Sequence, residues 1–163
     1  MTQTPEFVLD RVFDAPRDFV WRAWTDPELV SRWYGPGVET IIHEYTLKTG
    51  GAWKNEMRFG DKSMFSIMEF EEVTPPEKMV WRHSSSDADW NVVSNSMMPE
   101  WPKTLLTTVT FTEEHGKTKV RLSQVPLNAT KEEEAAFAAT MANMDGGWSK
   151  GFAIIDEILA EMK

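Results

Sequence analysis

The sequence predicts an α+β domain in which an antiparallel sheet is crossed by a long C-terminal helix. Three observations carry this expectation. Residues 38–124 have the texture of short strands separated by turn-forming residues. The last third of the chain changes to helical spacing, and two brief helical stretches follow the first strand. With 163 residues the chain is expected to form one domain, 1–163, with no linker, repeat or low-complexity segment.

The elements follow in order. Phe7, Leu9 and Phe13 alternate towards Pro16 and read as a strand. Phe19, Val20, Ala23 and Trp24 then take helical spacing, with Pro16 and Asp18 suited to the helix start. Asp26-Pro27 stops this helix and caps a second one running to Trp33, which Gly35-Pro36-Gly37 closes. Strands are expected over 38–48, 52–59, 63–73, 78–83, 104–112 and 118–124. In the second of these, Trp53, Asn55, Met57 and Phe59 share a core face, while Lys54, Glu56 and Arg58 share a face that wants water. Thr130 and Glu133 have capping-box spacing at the start of a helix over 131–144. Asp145-Gly146-Gly147 then kinks or breaks the helix before Trp148, Phe152, Ile155, Leu159 and Met162 resume it.

Residues 84–103 break the rhythm. They are rich in Ser, Asp and Asn, yet carry Trp90, Met97, Met98 and Trp101. Two readings stand: a long surface loop, or a lid whose apolar side chains close over a cavity.

Composition excludes several functions. There is no cysteine, hence no disulfide, thiolate metal site or cysteine nucleophile. With 17 basic against 26 acidic residues the net charge is −9, which disfavours nucleic acid and anionic lipid surfaces as partners. Neither a signal peptide nor an 18-residue apolar run is present, so the expected location is cytoplasmic, with no membrane partner. His43, His83 and His115 are far apart and lack companion ligands, so no metal and no cofactor are expected. No nucleophile elbow or phosphate-binding glycine loop occurs, and no catalytic residue is assigned. Ten Met and eight Trp remain. They either pack the core or line a cavity for an apolar molecule between the sheet and the long helix.

Several motifs, taken in order, resemble one known family. They are Arg11-Val-Phe-Asp-Ala-Pro16, Val20-Trp-Arg-Ala-Trp-Thr-Asp-Pro-Glu28 and Arg32-Trp-Tyr-Gly-Pro36, then Gly50-Gly51-Ala-Trp53, Glu72-Val-Thr-Pro-Pro-Glu77, Thr107-Thr-Val-Thr-Phe111 and Gly147-Trp148. Together they resemble the START-like (SRPBCC) superfamily, in its branch of homologues of the heat-shock-protein-90 ATPase activator (Aha-type). The resemblance implies a helix-grip fold like that of the START and Bet v proteins: a curved antiparallel sheet of about six to seven strands around the C-terminal helix, with two short helices after the first strand. It also implies a cavity, which in related branches holds lipids, sterols, polyketides or plant hormones. Two departures are visible. The 84–103 connection is longer than usual, and Met68 stands where the family often has glycine.

The expected function is binding of a small apolar or amphipathic molecule, with no reaction assigned. An alternative is a cyclase- or hydrolase-type enzyme using Glu56, Glu69, Glu72 or His83 as its acid–base group. A second alternative, ranked last, is a co-chaperone-like module, since the chain lacks the additional N-terminal domain of the eukaryotic activators. The state is expected to be monomer or homodimer. Alternation and the resemblance together nominate Trp33, Trp53, Asn55, Met57, Met64, Trp81, Val109, Phe111, Trp148, Phe152 and Ile155 as cavity walls, with Asn55 orienting a polar group of the ligand.

Overall fold

The computed structural model describes residues 4–34, 38–94 and 99–162. Strand β1 (Phe7–Phe13) leads into helices α1 (Arg17–Thr25) and α2 (Pro27–Trp33). Strands β2 (Glu39–Tyr45), β3 (Ala52–Phe59), β4 (Lys62–Thr74), β5 (Lys78–Ser86), β6 (Thr104–Glu114) and β7 (Lys117–Pro126) follow, and α3 (Lys131–Met162) ends the chain. The seven strands form one antiparallel sheet in the order β1-β7-β6-β5-β4-β3-β2. This is the helix-grip α+β arrangement. The sheet curves around α3, and α1 and α2 fill the space beside it.

The local signals act as their chemistry dictates. The Asp26 carboxylate accepts a bond from the Glu28 amide at 3.0 Å and caps α2, with Pro27 at its first position. At the start of α3, Glu133 N–H donates to the Thr130 hydroxyl and Thr130 N–H donates to the Glu133 carboxylate, a complete capping box. The Gly35-Pro36-Gly37 stop lies outside the described residues.

Helix α3 is continuous for 32 residues and runs through Gly146-Gly147 without a break. Two glycines cost about 2 kcal/mol of helix propensity, an amount that tertiary packing can outweigh. The following turn supplies that packing, since Trp148 lies against Trp24, Trp33, Tyr34 and Phe152. Gly151 has a different role. A Cβ there would sit 2.8 Å from the Trp33 carbonyl oxygen, so the glycine lets α3 approach α2 backbone to side chain. Arg32 with Glu161 and Arg11 with Asp156 tie the last turns of α3 to α2 and β1.

The core lies between the sheet's concave face and the three helices. Phe13, Val20, Trp24, Trp33, Trp81, Val109, Leu122, Phe152 and Ile155 are all essentially inaccessible there. Two expectations of facing need correction. Phe59, placed on the core face by alternation, is 45% exposed because it stands at the end of β3, next to the Gly60 turn. Glu56, placed on the water face, is 7% exposed: it keeps its outward direction but is covered and fully hydrogen-bonded. Its carboxylate accepts from Ser63 at 2.6 Å, bonds His43 at 2.8 Å and accepts from Arg58 at 3.1 Å. The Ser63, His43 and Arg58 bonds, in that order, hold its pKa down to about 2.

Of residues 84–103, the described stretches 84–94 and 99–103 pack against the sheet and α3. Strand β5 runs three residues further than expected, to Ser86, and Ser86 forms a bridge with Val92. Trp90 packs against His43 and Phe65, beside Glu56, with the Lys54 ammonium over its ring. Trp101 returns to pack on Phe137 of α3. The segment is therefore anchored by a tryptophan at each end. Met97 and Met98 lie outside the described residues.

Candidate functional site

A cavity of about 370 Å³ lies between the middle of α3 and the β3–β4–β5 side of the sheet, a volume suited to a small organic molecule. One wall is apolar. It is built by Met144, Gly147, Trp148 and Gly151 of α3 with Trp33 and Tyr34 of α2. Trp101, Pro102 and Lys103 line the rim. The sheet wall is mixed. Met57, Met64, Phe65 and Leu105 alternate there with Ser66, His83, Ser85 and Gln124.

Register explains the polar positions. Ser66 pairs directly with Ser85 and with Asn55, so the three form one cross-strand row on the concave face. Directly opposed residues bring their Cβ atoms to about 5 Å, close enough for their side chains to act together. His83 sits in the next row, paired with Met68 and Leu105. Gln124 donates to Thr107 at 3.1 Å. Among the described residues, His83 Nδ1 and both amide atoms of Asn55 are buried without a hydrogen-bond partner, beside the part-buried hydroxyls of Ser66 and Ser85. Buried polar atoms without partners cost about 1–3 kcal/mol each, so such a concentration marks a place where bonds are waiting to be made.

Charge is scarce here. Among the described residues no carboxylate lines the cavity, in a chain of 26 acidic residues. Burial pushes the His83 imidazole down to about 4, so at neutral pH it is uncharged. Burial likewise raises the Tyr34 phenol well above its usual range, and it stays protonated. Lys103, on the exposed rim, is the one cation of the lining.

Of the residues nominated from sequence, the structure brings Trp33, Met57, Met64 and Trp148 to the cavity. Trp53, Asn55, Trp81, Val109, Phe111, Phe152 and Ile155 face the same interior but pack into the core beneath it, since α1 and α2 fill that end. Asn55 stands directly opposite Ser66 on the neighbouring strand. Met68, fully buried, holds the place next to His83. The proposed acid–base groups are not assembled. Glu56 sits in its outer-face cluster, Glu69 and Glu72 are half-exposed partners of Arg82 and Lys78, and only His83 lines the cavity. Sequence reasoning missed Tyr34, Ser66, Ser85, Trp101, Met144 and the glycines of α3. Only Trp101 and Met144 carried a usable signal, as large apolar residues in a polar loop and on a helix face. Among the described residues no group of three His, Asp or Glu could hold a metal, and no helix is long and apolar enough to cross a membrane.

Burial of His83 has a measurable consequence. Its pKa in the fold is below the ordinary 6.5, so the unfolded chain takes up the proton first as pH falls. Stability is nearly full above pH 7 and declines as pH falls through 6.5 towards 4, by about 2.5 kcal/mol at pH 4.5. Glu56 adds little at pH 4.5, because its carboxylate, held down to about 2 in the fold, loses its stabilisation mainly below its ordinary 4.5. Urea unfolding at pH 7 and pH 4.5 measures the difference, and His83→Phe should flatten it. An equal slope in wild type and variant would contradict the assignment.

The model of the family described as Activator of Hsp90 ATPase homolog 1-like protein matches residues 14–160, nearly the whole chain. The chain belongs to this family. Solved structures agree on the fold. Protein Ms6760 from Mycobacterium smegmatis superposes with a TM-score of 0.79 at 22% identity, covering 96% of this chain and 91% of that one. A protein from Arthrobacter aurescens gives 0.78 at 22%, covering 96% and 86%. One from Rhodobacter sphaeroides gives 0.77 at 18%, covering 97% and 94%. No curated protein matches the chain. The fold of the Activator of Hsp90 ATPase homolog 1-like family is in general a ligand-binding fold.

Proposed function

We propose that this protein binds a small amphipathic molecule in the cavity between α3 and the sheet, without transforming it. The observation that supports this reading is the asymmetry of the cavity. One wall carries tryptophan, tyrosine and methionine, and the facing wall carries hydrogen-bonding side chains with unused capacity. An apolar body would gain about 25 cal/mol per Å² buried against the first wall. A polar group would meet the second. An enzymatic role lacks support, because the titratable groups buried in the cavity among the described residues are a phenol held protonated and a histidine whose pKa of about 4 makes it a weak base at neutral pH.

Native mass spectrometry of the purified protein, beside the denatured sample, tests the proposal. A bound molecule of a few hundred daltons, lost on denaturation, is the expected result. If no adduct is seen and Nile red, an uncharged environment-sensitive dye, also fails to bind, the proposal is wrong.

A further inference from the structure

The cavity's sheet wall says more about the ligand than its volume does. Asn55, Ser66 and Ser85 occupy successive positions of one cross-strand row on β3, β4 and β5, with His83 in the adjoining row. Asn55 is 1% exposed, and neither its amide nitrogen nor its amide oxygen has a partner. Hydroxyls and a carboxamide can each donate and accept, so the row matches a group that also does both or accepts twice.

We infer that Ser66 and Ser85, backed by the buried Asn55 amide in the same row and flanked by His83, form a subsite for an uncharged hydroxyl or carbonyl group of the ligand, and that it selects against a carboxylate. This rests on the binding reading above and specifies the ligand's chemical class. The charge pattern decides between the two kinds of polar group. A buried carboxylate needs a cation or several strong donors. The imidazole beside the row is neutral, and Lys103 stands at the exposed rim, on the strand-entry segment rather than on the sheet wall. A cationic group is disfavoured equally, since among the described residues no carboxylate lines the cavity. What remains is a molecule with an apolar body, held by the rings and thioethers of Trp33, Trp148, Met57 and Met64, and one neutral polar end.

Displacement of Nile red by naphthalene, 2-naphthol and 2-naphthoate tests this, because the three probes share one body and differ in the end group. In the wild-type protein 2-naphthol should bind about tenfold more tightly than naphthalene, as one or two new hydrogen bonds allow. The naphthoate should bind no better than naphthalene. In the Ser66→Ala, Ser85→Ala double variant the hydroxyl advantage should shrink below about threefold while naphthalene affinity stays unchanged, which also reports that the variant is folded. Asn55→Leu supplies a second readout: it should lose hydroxyl selectivity yet keep or gain thermal stability, since it removes an unpartnered buried amide. Equal affinity for naphthalene and naphthol overturns the subsite, as does an advantage that survives the double variant. Tighter binding of naphthoate overturns the charge selection and assigns an anion to Lys103. If Nile red binds but none of the three displaces it, the subsite is overturned and the broader reading stands. If Nile red does not bind at all, both fall.

Discussion

Replacing Gly147 by leucine is expected to raise the protein's stability while removing its capacity for an apolar guest. The two effects have separate causes. Gly147 lies inside α3, where a glycine costs about 1 kcal/mol relative to a good helix former. A Cβ at this position meets nothing within 4 Å, so leucine enters without strain. The space it enters is the cavity, which Gly147 lines. Thermal unfolding should therefore shift upward by an amount equivalent to about 1 kcal/mol, and Nile red affinity should fall tenfold or more. Gly146→Leu is the matched control. It has the same open surroundings and helical setting but does not line the cavity, so it should gain stability and keep binding. Equal loss of binding in both variants would mean that the helix, not the cavity, had been disturbed.

Trp81 tests the other half of the interior. It is fully buried on β5, packed on Trp53 and Phe70 at ring separations of 5.9 and 6.3 Å. Truncation to alanine leaves a hole that the surrounding sheet cannot collapse, and about 3–5 kcal/mol of stability should be lost. Phenylalanine should cost far less, about 1.5 kcal/mol at most. It keeps most of the ring area and removes an indole N–H that has no partner in the fold. Chemical denaturation of the two variants measures both values. A phenylalanine variant as damaged as the alanine one would show that the indole N–H is bonded after all.

How much of this was legible beforehand depends on how local the signal is. The capping box at Thr130 and Glu133 and the Asp26 cap are decided by neighbours within three residues, and both formed as read. Alternation placed Trp53, Asn55 and Met57 on one face, because a strand's period needs no partner to be visible. Phe59 departed from it where the strand reaches its final turn. The Asp145-Gly146-Gly147 segment looked like a break because propensity is a local quantity, whereas the contacts of Trp148 that hold the helix together come from α1 and α2. The polar wall was least legible. A serine in a strand and a lone histidine have no signature of their own, and Ser66, Ser85 and Asn55 meet only through the pairing of three strands. The choice between lid and loop for residues 84–103 was equally non-local. Trp90 and Trp101 go to different neighbours, His43 and Phe65 for one and Phe137 for the other.

The continuity of α3 has one further consequence. Geometrically it is a single rod, but its two halves differ in what shields them. From residue 151 onward, Gly151, Phe152, Ile155, Ile158 and Leu159 are buried and the last turns are pinned by Arg11 and Arg32, whereas only Phe137 is buried in the first twenty residues described. Backbone amides of 152–162 should exchange with deuterium only through global unfolding, while those of 131–150 should exchange by local opening. The cavity lies under the junction of the two halves, at Met144, Gly147, Trp148 and Gly151. A guest bound there should slow exchange over about 144–151 and leave 152–162 unchanged, so the helix itself records whether the site is filled.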